Sequence, residues 1–224
     1  MKKYLLLAFI AVCIGIIIPC KTVYATDITI GATTWYSWWS GGTPEDGDAD
    51  PTFLYGPAMS IKFNDDFNLT FVYLYGKYDV TGEADHGGGP EPFKVKFKRS
   101  DADLALNYRL NDYFKVFGGI KYIDSSLPGM FDWYGYGPGF GLSATLPVAE
   151  NIFLLATLSG YHLWGKEDHP GDGKSNNKSY GANTTLALAY YIAPASTTIS
   201  LGGRYQYFKP NYDRGDDSGD VAHF

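Results

Sequence analysis

Seven polar residues stand at alternating positions inside otherwise apolar stretches: Asp103, Asn107, Arg109, Lys115, Lys121, Arg204 and Gln206. Alternate residues of an extended strand share a face, so each stretch would turn polar groups to one side and apolar groups to the other. Charges of both signs on an enclosed side would satisfy one another, because an unpaired charge is costly where the dielectric is low. Held apart, the same groups would line a narrow polar passage. Lys94, Lys96 and Lys98 alternate with Phe93, Val95 and Phe97 and form a basic face able to meet phosphate groups or paired acids.

Other groupings carry less chemistry. Asp46, Asp48 and Asp50 open with the spacing of a calcium loop, but Pro57 stands where the bidentate glutamate belongs and Pro51 replaces the turn glycine. Loose ion bridging with Asp213, Asp216 and Asp217 remains open to these acids. Arg214-Gly215-Asp216 spells an adhesive tripeptide in an acidic, glycine-rich setting where such a triplet arises readily by chance. Asp85-His86 and Asp168-His169 could serve as acid–base pairs, although spacing alone brings neither within reach of a partner. Gly135, Gly137, Gly139 and Gly141 imitate part of a dinucleotide fingerprint, but no helix follows them. On one face of a strand they would make room for bulky neighbours or permit curvature.

The elements that must position these residues are strands. Period-two alternation recurs in nine segments: 27–39, 53–63, 67–78, 100–110, 113–123, 135–147, 151–164, 180–193 and 197–208. In the last, Ile199, Leu201, Tyr205 and Tyr207 fall on one face, and Ser200, Arg204 and Gln206 on the other. The apolar parity switches between Phe97 and Ala102, which predicts a bulge near Lys98 to Asp101. Connections alternate between short ones, such as Asn64-Asp65-Asp66 and Asn111-Asp112, and long polar ones at 40–52, 79–92, 124–134, 165–179 and 209–219.

The chain opens with Lys2 and Lys3, an apolar run from Tyr4 to Pro19, and Val23-Tyr24-Ala25, the pattern of a secretory signal cleaved after Ala25. Pro19 and Lys21 leave the run short of a spanning helix. Cys13 and Cys20 would leave with the signal, so residues 26–224 carry no thiol. Loss of Lys2, Lys3 and Lys21 would take the formal charge from −6 to −9, a poor match to nucleic acid.

Short turns at one end, long loops at the other and aromatics near both strand ends resemble the small outer-membrane β-barrel proteins of Gram-negative bacteria. The loop-end aromatics include Trp35, Trp38, Trp39, Tyr75, Tyr78, Tyr122, Trp133, Tyr134, Tyr161 and Trp164. Those near the short turns are Phe63, Phe67, Tyr108, Tyr113, Phe114 and Phe153. The resemblance spans residues 26–224 in pattern and implies an all-β, antiparallel up-and-down transmembrane barrel. It also implies export to the outer membrane, with periplasmic chaperones and the barrel-assembly machinery as partners in biogenesis. Lipid and lipopolysaccharide would surround the barrel, with Lys94, Lys96 and Lys98 as phosphate contacts. The surface ligand is left open.

Bacterial single-chain barrels have even strand numbers. Nine segments followed by Asp220-Val221-Ala222-His223-Phe224 therefore predict a tenth strand begun, in a ten-stranded parent whose closing strand is mostly missing here. The expected function is a non-enzymatic envelope-structural or surface-binding scaffold without a cofactor. A narrow passive channel is the first alternative and an omptin-like outer-membrane hydrolase the second.

Overall fold

The computed structural model describes residues 27–37, 48–85, 90–129, 131–169, 173–212 and 222–223. The expected signal, residues 1–25, lies outside them, as do His86, the acids at 46, 213, 216 and 217, and the Arg214-Gly215-Asp216 tripeptide. The described residues form one antiparallel sheet. Its nine long strands are β1 (Asp27–Ser37), β3 (Thr52–Lys62), β4 (Phe67–Asp85), β5 (Pro90–Arg109), β6 (Phe114–Leu127), β7 (Phe131–Ala149), β8 (Ile152–His169), β9 (Gly173–Ile192) and β10 (Thr197–Tyr212). Each pairs with the next in sequence. Two short strands complete the sheet: β2 (Asp48–Ala49) lies on β4, and β11 (Ala222–His223) lies antiparallel on β10 at Tyr207 and Phe208.

Among the described residues the hydrogen-bonded path runs from β1 to β11 without returning to β1. The sheet is nevertheless curled. Arg204 on β10 reaches Asp101 and Asp103 on β5 across the concave side, and its guanidinium lies 5.6 Å from the Trp35 ring on β1.

Alternation along each strand separates the two sides. The outward face carries Ile30, 78 % exposed, and Leu201, 83 % exposed, with Ile28, Leu106, Ile120, Phe140, Leu158, Leu186 and Ile199 also exposed. The inward face buries Arg99, Asp101, Asn107, Lys121, Asn177, Asn183 and Gln206. This is the reverse of the usual arrangement, in which charged side chains are almost never fully buried.

The strands run further than the alternation marks. Much of the segments 79–92, 124–134 and 165–179 is ladder: Asp85 pairs with Pro90, Leu127 with Phe131 and His169 with Gly173. Their Asp, Gly, Lys and Pro content disguises them, because propensity is weak where a neighbouring strand supplies every backbone partner. The bulge expected near Lys98 to Asp101 is absent: β5 keeps unbroken register with β4 from Tyr108 to Pro90 and with β6 from Arg109 to Lys98. Odd-numbered residues of β5 face inward from Phe93 to Arg109, and the interior itself changes from apolar to charged. A register irregularity occurs instead between Pro147 and Ala149.

Two Gly-Pro pairs lie within strands, Gly56-Pro57 in β3 and Gly137-Pro138 in β7. Proline donates no ladder hydrogen bond, and at both places the carbonyl oxygen of the adjacent strand moves into the glycine's missing side-chain position. A Cβ on Gly56 would stand 2.0 Å from the Tyr73 oxygen, and one on Gly137 would stand 1.9 Å from the His162 oxygen.

Two of the short turns share one construction. Asn64 Oδ1 accepts the backbone N–H groups of Asp66 and Phe67, and Asn111 Oδ1 accepts those of Tyr113 and Phe114. A cation two residues before each asparagine pairs with the aspartate after it, Lys62 with Asp65 at 2.8 Å and Arg109 with Asp112. Replacing Asn64 or Asn111 with alanine deprives two exposed donors of a preorganised acceptor. We expect each change to cost about 1 kcal/mol, read from urea unfolding of the folded protein, and a loss below measurement error at both sites would contradict this construction.

An ion-paired interior as the candidate functional site

The interior has two layers, and register explains both. Toward the long-loop end, Leu54, Leu74, Tyr78, Val80, Phe97 and Leu127 pack into an apolar plug, and Ile123, Trp133, Tyr161 and Leu163 form a second. Tyr78 and Phe97 are direct partners across β4 and β5, with ring centroids 5.8 Å apart. Small residues open the space: a Cβ on Gly135 would meet the Trp133 ring at 2.8 Å, and one on Gly181 would meet the Tyr161 ring at 2.1 Å. The inward glycines of β7 therefore act as room for neighbours.

This corrects the aromatic assignment. Trp35, Tyr78, Trp133 and Tyr161 turn inward and Trp38 and Trp39 lie outside the described residues, whereas Tyr75, Tyr122, Tyr134 and Trp164 keep the outward register expected of them, joined at the long-loop end by Tyr36, Phe53, Tyr55, Tyr136, Tyr180 and Tyr205. At the short-turn end Phe67, Tyr108, Tyr113 and Phe114 are exposed as expected.

Beside the plugs lies the charge cluster. Asp101, 3 % exposed, is its centre. Lys121 Nζ stands 2.5 Å from Asp101 Oδ1 and 3.0 Å from Asp103 Oδ1. Arg99 approaches Asp101 at 3.4 Å, and Arg204 approaches Asp101 and Asp103 at 3.7 and 3.9 Å. Two carboxylates thus serve three cations, drawn from β5, β6 and β10.

Polar contacts extend the cluster. Gln206 Nε2 donates to Tyr161 Oη at 2.9 Å, and that hydroxyl donates to the Tyr207 carbonyl at 3.0 Å. The Lys121 ammonium also lies 5.5 Å from the Tyr161 ring. Trp133 Nε1 donates to Asn177 Oδ1 at 3.1 Å.

A cavity of about 30 Å³ remains between β1 and β10, lined by Trp35, Leu54, Arg99, Asp101, Arg204 and Gln206 among others. That is room for a water or two, far less than a hydrated ion and its path require. At this level the described side chains of the cluster occupy most of the space between the strands.

Of the seven polar residues singled out by alternation, Asp103, Lys121, Arg204 and Gln206 meet in this cluster. Asn107 is buried nearer the short turns, where its amide donates to the Asn68 carbonyl at 3.1 Å and to Thr70 Oγ1 at 3.1 Å. Arg109 belongs to a turn, paired with Asp112. Lys115 lies on the inward register of β6, opposite Arg109 on β5 and away from the carboxylates.

Arg99 and Asp101 escape the alternation reading because the bulge expected at 98–101 leaves their facing undefined. No periodic signal in the sequence marks them, because the inward residues of β5 change from apolar to charged at Arg99. Lys94 and Lys96 face outward and pair with Asp79 at 3.4 and 2.9 Å. Asp168 faces outward in an ion pair with Lys174 at 3.3 Å. Comparison with protein-family models and with curated proteins finds no match to this chain, so the functional reading rests on geometry.

Proposed function

We propose that the chain is an integral outer-membrane β-barrel protein without enzymatic activity, serving as an envelope-stabilising or surface-binding scaffold whose interior is occluded by its own side chains. The observation that carries this reading is the inversion of the two faces: large apolar side chains on the outward surface and ion-paired charges within. A sheet immersed in hydrocarbon needs that distribution, and a soluble one would be penalised by so much exposed apolar surface. Outward aromatics near both strand ends support the same reading, since amphipathic rings favour the membrane–water interface. Export through the general secretory pathway, chaperoned passage through the periplasm and insertion by the assembly machinery follow from it.

Two measurements test the proposal. The chain lacking residues 1–25, folded into phosphatidylcholine vesicles, should migrate on electrophoresis as a compact species that shifts on boiling. The same preparation in planar bilayers should show no ion conductance above background, the result expected of an interior filled by apolar plugs and ion pairs. Failure to insert would remove the membrane reading, and steady unitary currents would replace the scaffold with the narrow-channel alternative.

A further inference from the structure

The outward face of β4 and β5 changes character at one level. From the short turn, β5 presents Leu110, Tyr108, Leu106, Leu104 and Ala102, about 26 Å of strand at 3.3 Å per residue. That matches the apolar band of an outer-membrane barrel, about 25 Å tall, shortened somewhat by strand tilt. Antiparallel to it, β4 presents Phe67, Leu69, Phe71, Tyr73 and Tyr75 at the same levels. Immediately beyond come Lys77 on β4 and Lys98, Lys96 and Lys94 on β5.

Register makes Lys77 and Lys98 direct cross-strand partners. Both are exposed, and neither has an ion pair among the described residues. Like charges directly opposite on one face are destabilising. The acids on the same face have other partners among the described residues. Asp79 is shared by Lys94 and Lys96, and the hydrogen bond from Lys96, aided by the charge of Lys94, holds its carboxyl below the usual aspartate value. Asp124 on β6 accepts the Tyr122 hydroxyl at 3.0 Å, and Asp132 on β7 accepts that of Ser126.

We propose that Lys77 and Lys98, flanked by Lys96 and Lys94, form a binding site for the phosphate of a lipid headgroup on the outer surface of the sheet. The site rests on the membrane reading above, which sets this level at the headgroups. A phosphate between two opposed ammonium groups relieves their repulsion, and the adjoining tyrosines Tyr73, Tyr75 and Tyr122 lie where the acyl chains begin. Compact, strongly hydrated ammonium groups suit a phosphate as point charges.

The test uses the folded protein in detergent, titrated with diphosphorylated lipid A, with phosphatidylcholine and, separately, with inorganic phosphate. Bound lipid is read by native mass spectrometry and heat modifiability is checked in every sample. Lipid A should be retained, and the double variant Lys77→Gln/Lys98→Gln should lose about tenfold or more in affinity, each lysine near a charged surface being worth roughly a factor of five. Lys77→Arg/Lys98→Arg should keep binding, and Lys174→Gln, at an outward lysine on β9, should leave it unchanged.

A folded Gln double variant that binds lipid A as the parent does overturns the site. Equal lysine-dependent stabilisation by inorganic phosphate overturns its assignment to a lipid. A chain that reaches no heat-modifiable form in detergent or vesicles defeats the membrane reading itself, a result distinguishable from a folded protein without lipid preference.

Discussion

Replacing Asp101 with alanine should cost about 3 kcal/mol or more in stability, the range expected when one partner of a buried ion pair is removed. Asp101 is the carboxylate that Arg99, Lys121 and Arg204 all reach, so its loss removes a shared counter-charge from three cations on the inner wall. Asp103 provides the internal comparison. Its side chain is 39 % exposed, and Lys121 keeps Asp101 when Asp103 is removed, so Asp103→Ala should cost about 1 kcal/mol, near the level of a partly exposed pair. Urea unfolding in vesicles, followed by tryptophan fluorescence, measures both. Equal losses for the two variants would show that the cluster has no centre and that water screens its members alike.

A second large effect is expected where no side chain exists. A Cβ on Gly137 would lie 1.9 Å from the His162 carbonyl oxygen, a backbone atom. Rotamer changes cannot relieve that contact; β7 and β8 must separate where Pro138 already withholds a ladder hydrogen bond. Gly137→Ala should destabilise the sheet by about 3 kcal/mol, the upper range for overpacking, and its folding yield in vesicles should fall accordingly.

Gly118→Ala and Gly203→Ala are the controls. A Cβ at Gly118 approaches nothing closer than 4.0 Å, and one at Gly203 has nothing within 4 Å. Both should change stability by less than about 0.5 kcal/mol, as surface substitutions usually do. If Gly137→Ala behaves like them, the approach of the His162 carbonyl to Gly137 does not constrain the sheet.

Legibility in the sequence depended on what each strand's interior holds. Beta-10 was read correctly because its two faces differ consistently: Leu201 and Tyr205 face outward, while Arg204 and Gln206 face inward. Beta-5 was misread because its inward face is mixed. Phe97 fills the plug two residues from Arg99 and four from Asp101, so the rule that apolar residues face outward reversed within one strand and suggested a bulge. The same rule placed Trp133 and Tyr161 in an outer girdle, although both pack inside. Hydropathy along a single strand cannot separate a ring that meets lipid from one that fills a core, since both sites are apolar.

The nine strands, their order and the antiparallel hairpins were determined by the sequence itself, because period-two alternation and turn residues act between neighbours along the chain. Side-chain pairing across strands was decided only by the tertiary structure. Lys77 meets Lys98, and Lys121 and Arg204 converge on Asp101, through register and the curl of the sheet. These depend on the whole set of backbone ladders. The physical reason is range: facing along a strand is a local property, whereas a charge's partner lies one strand away or across the concave side, at a separation that only the curled sheet sets.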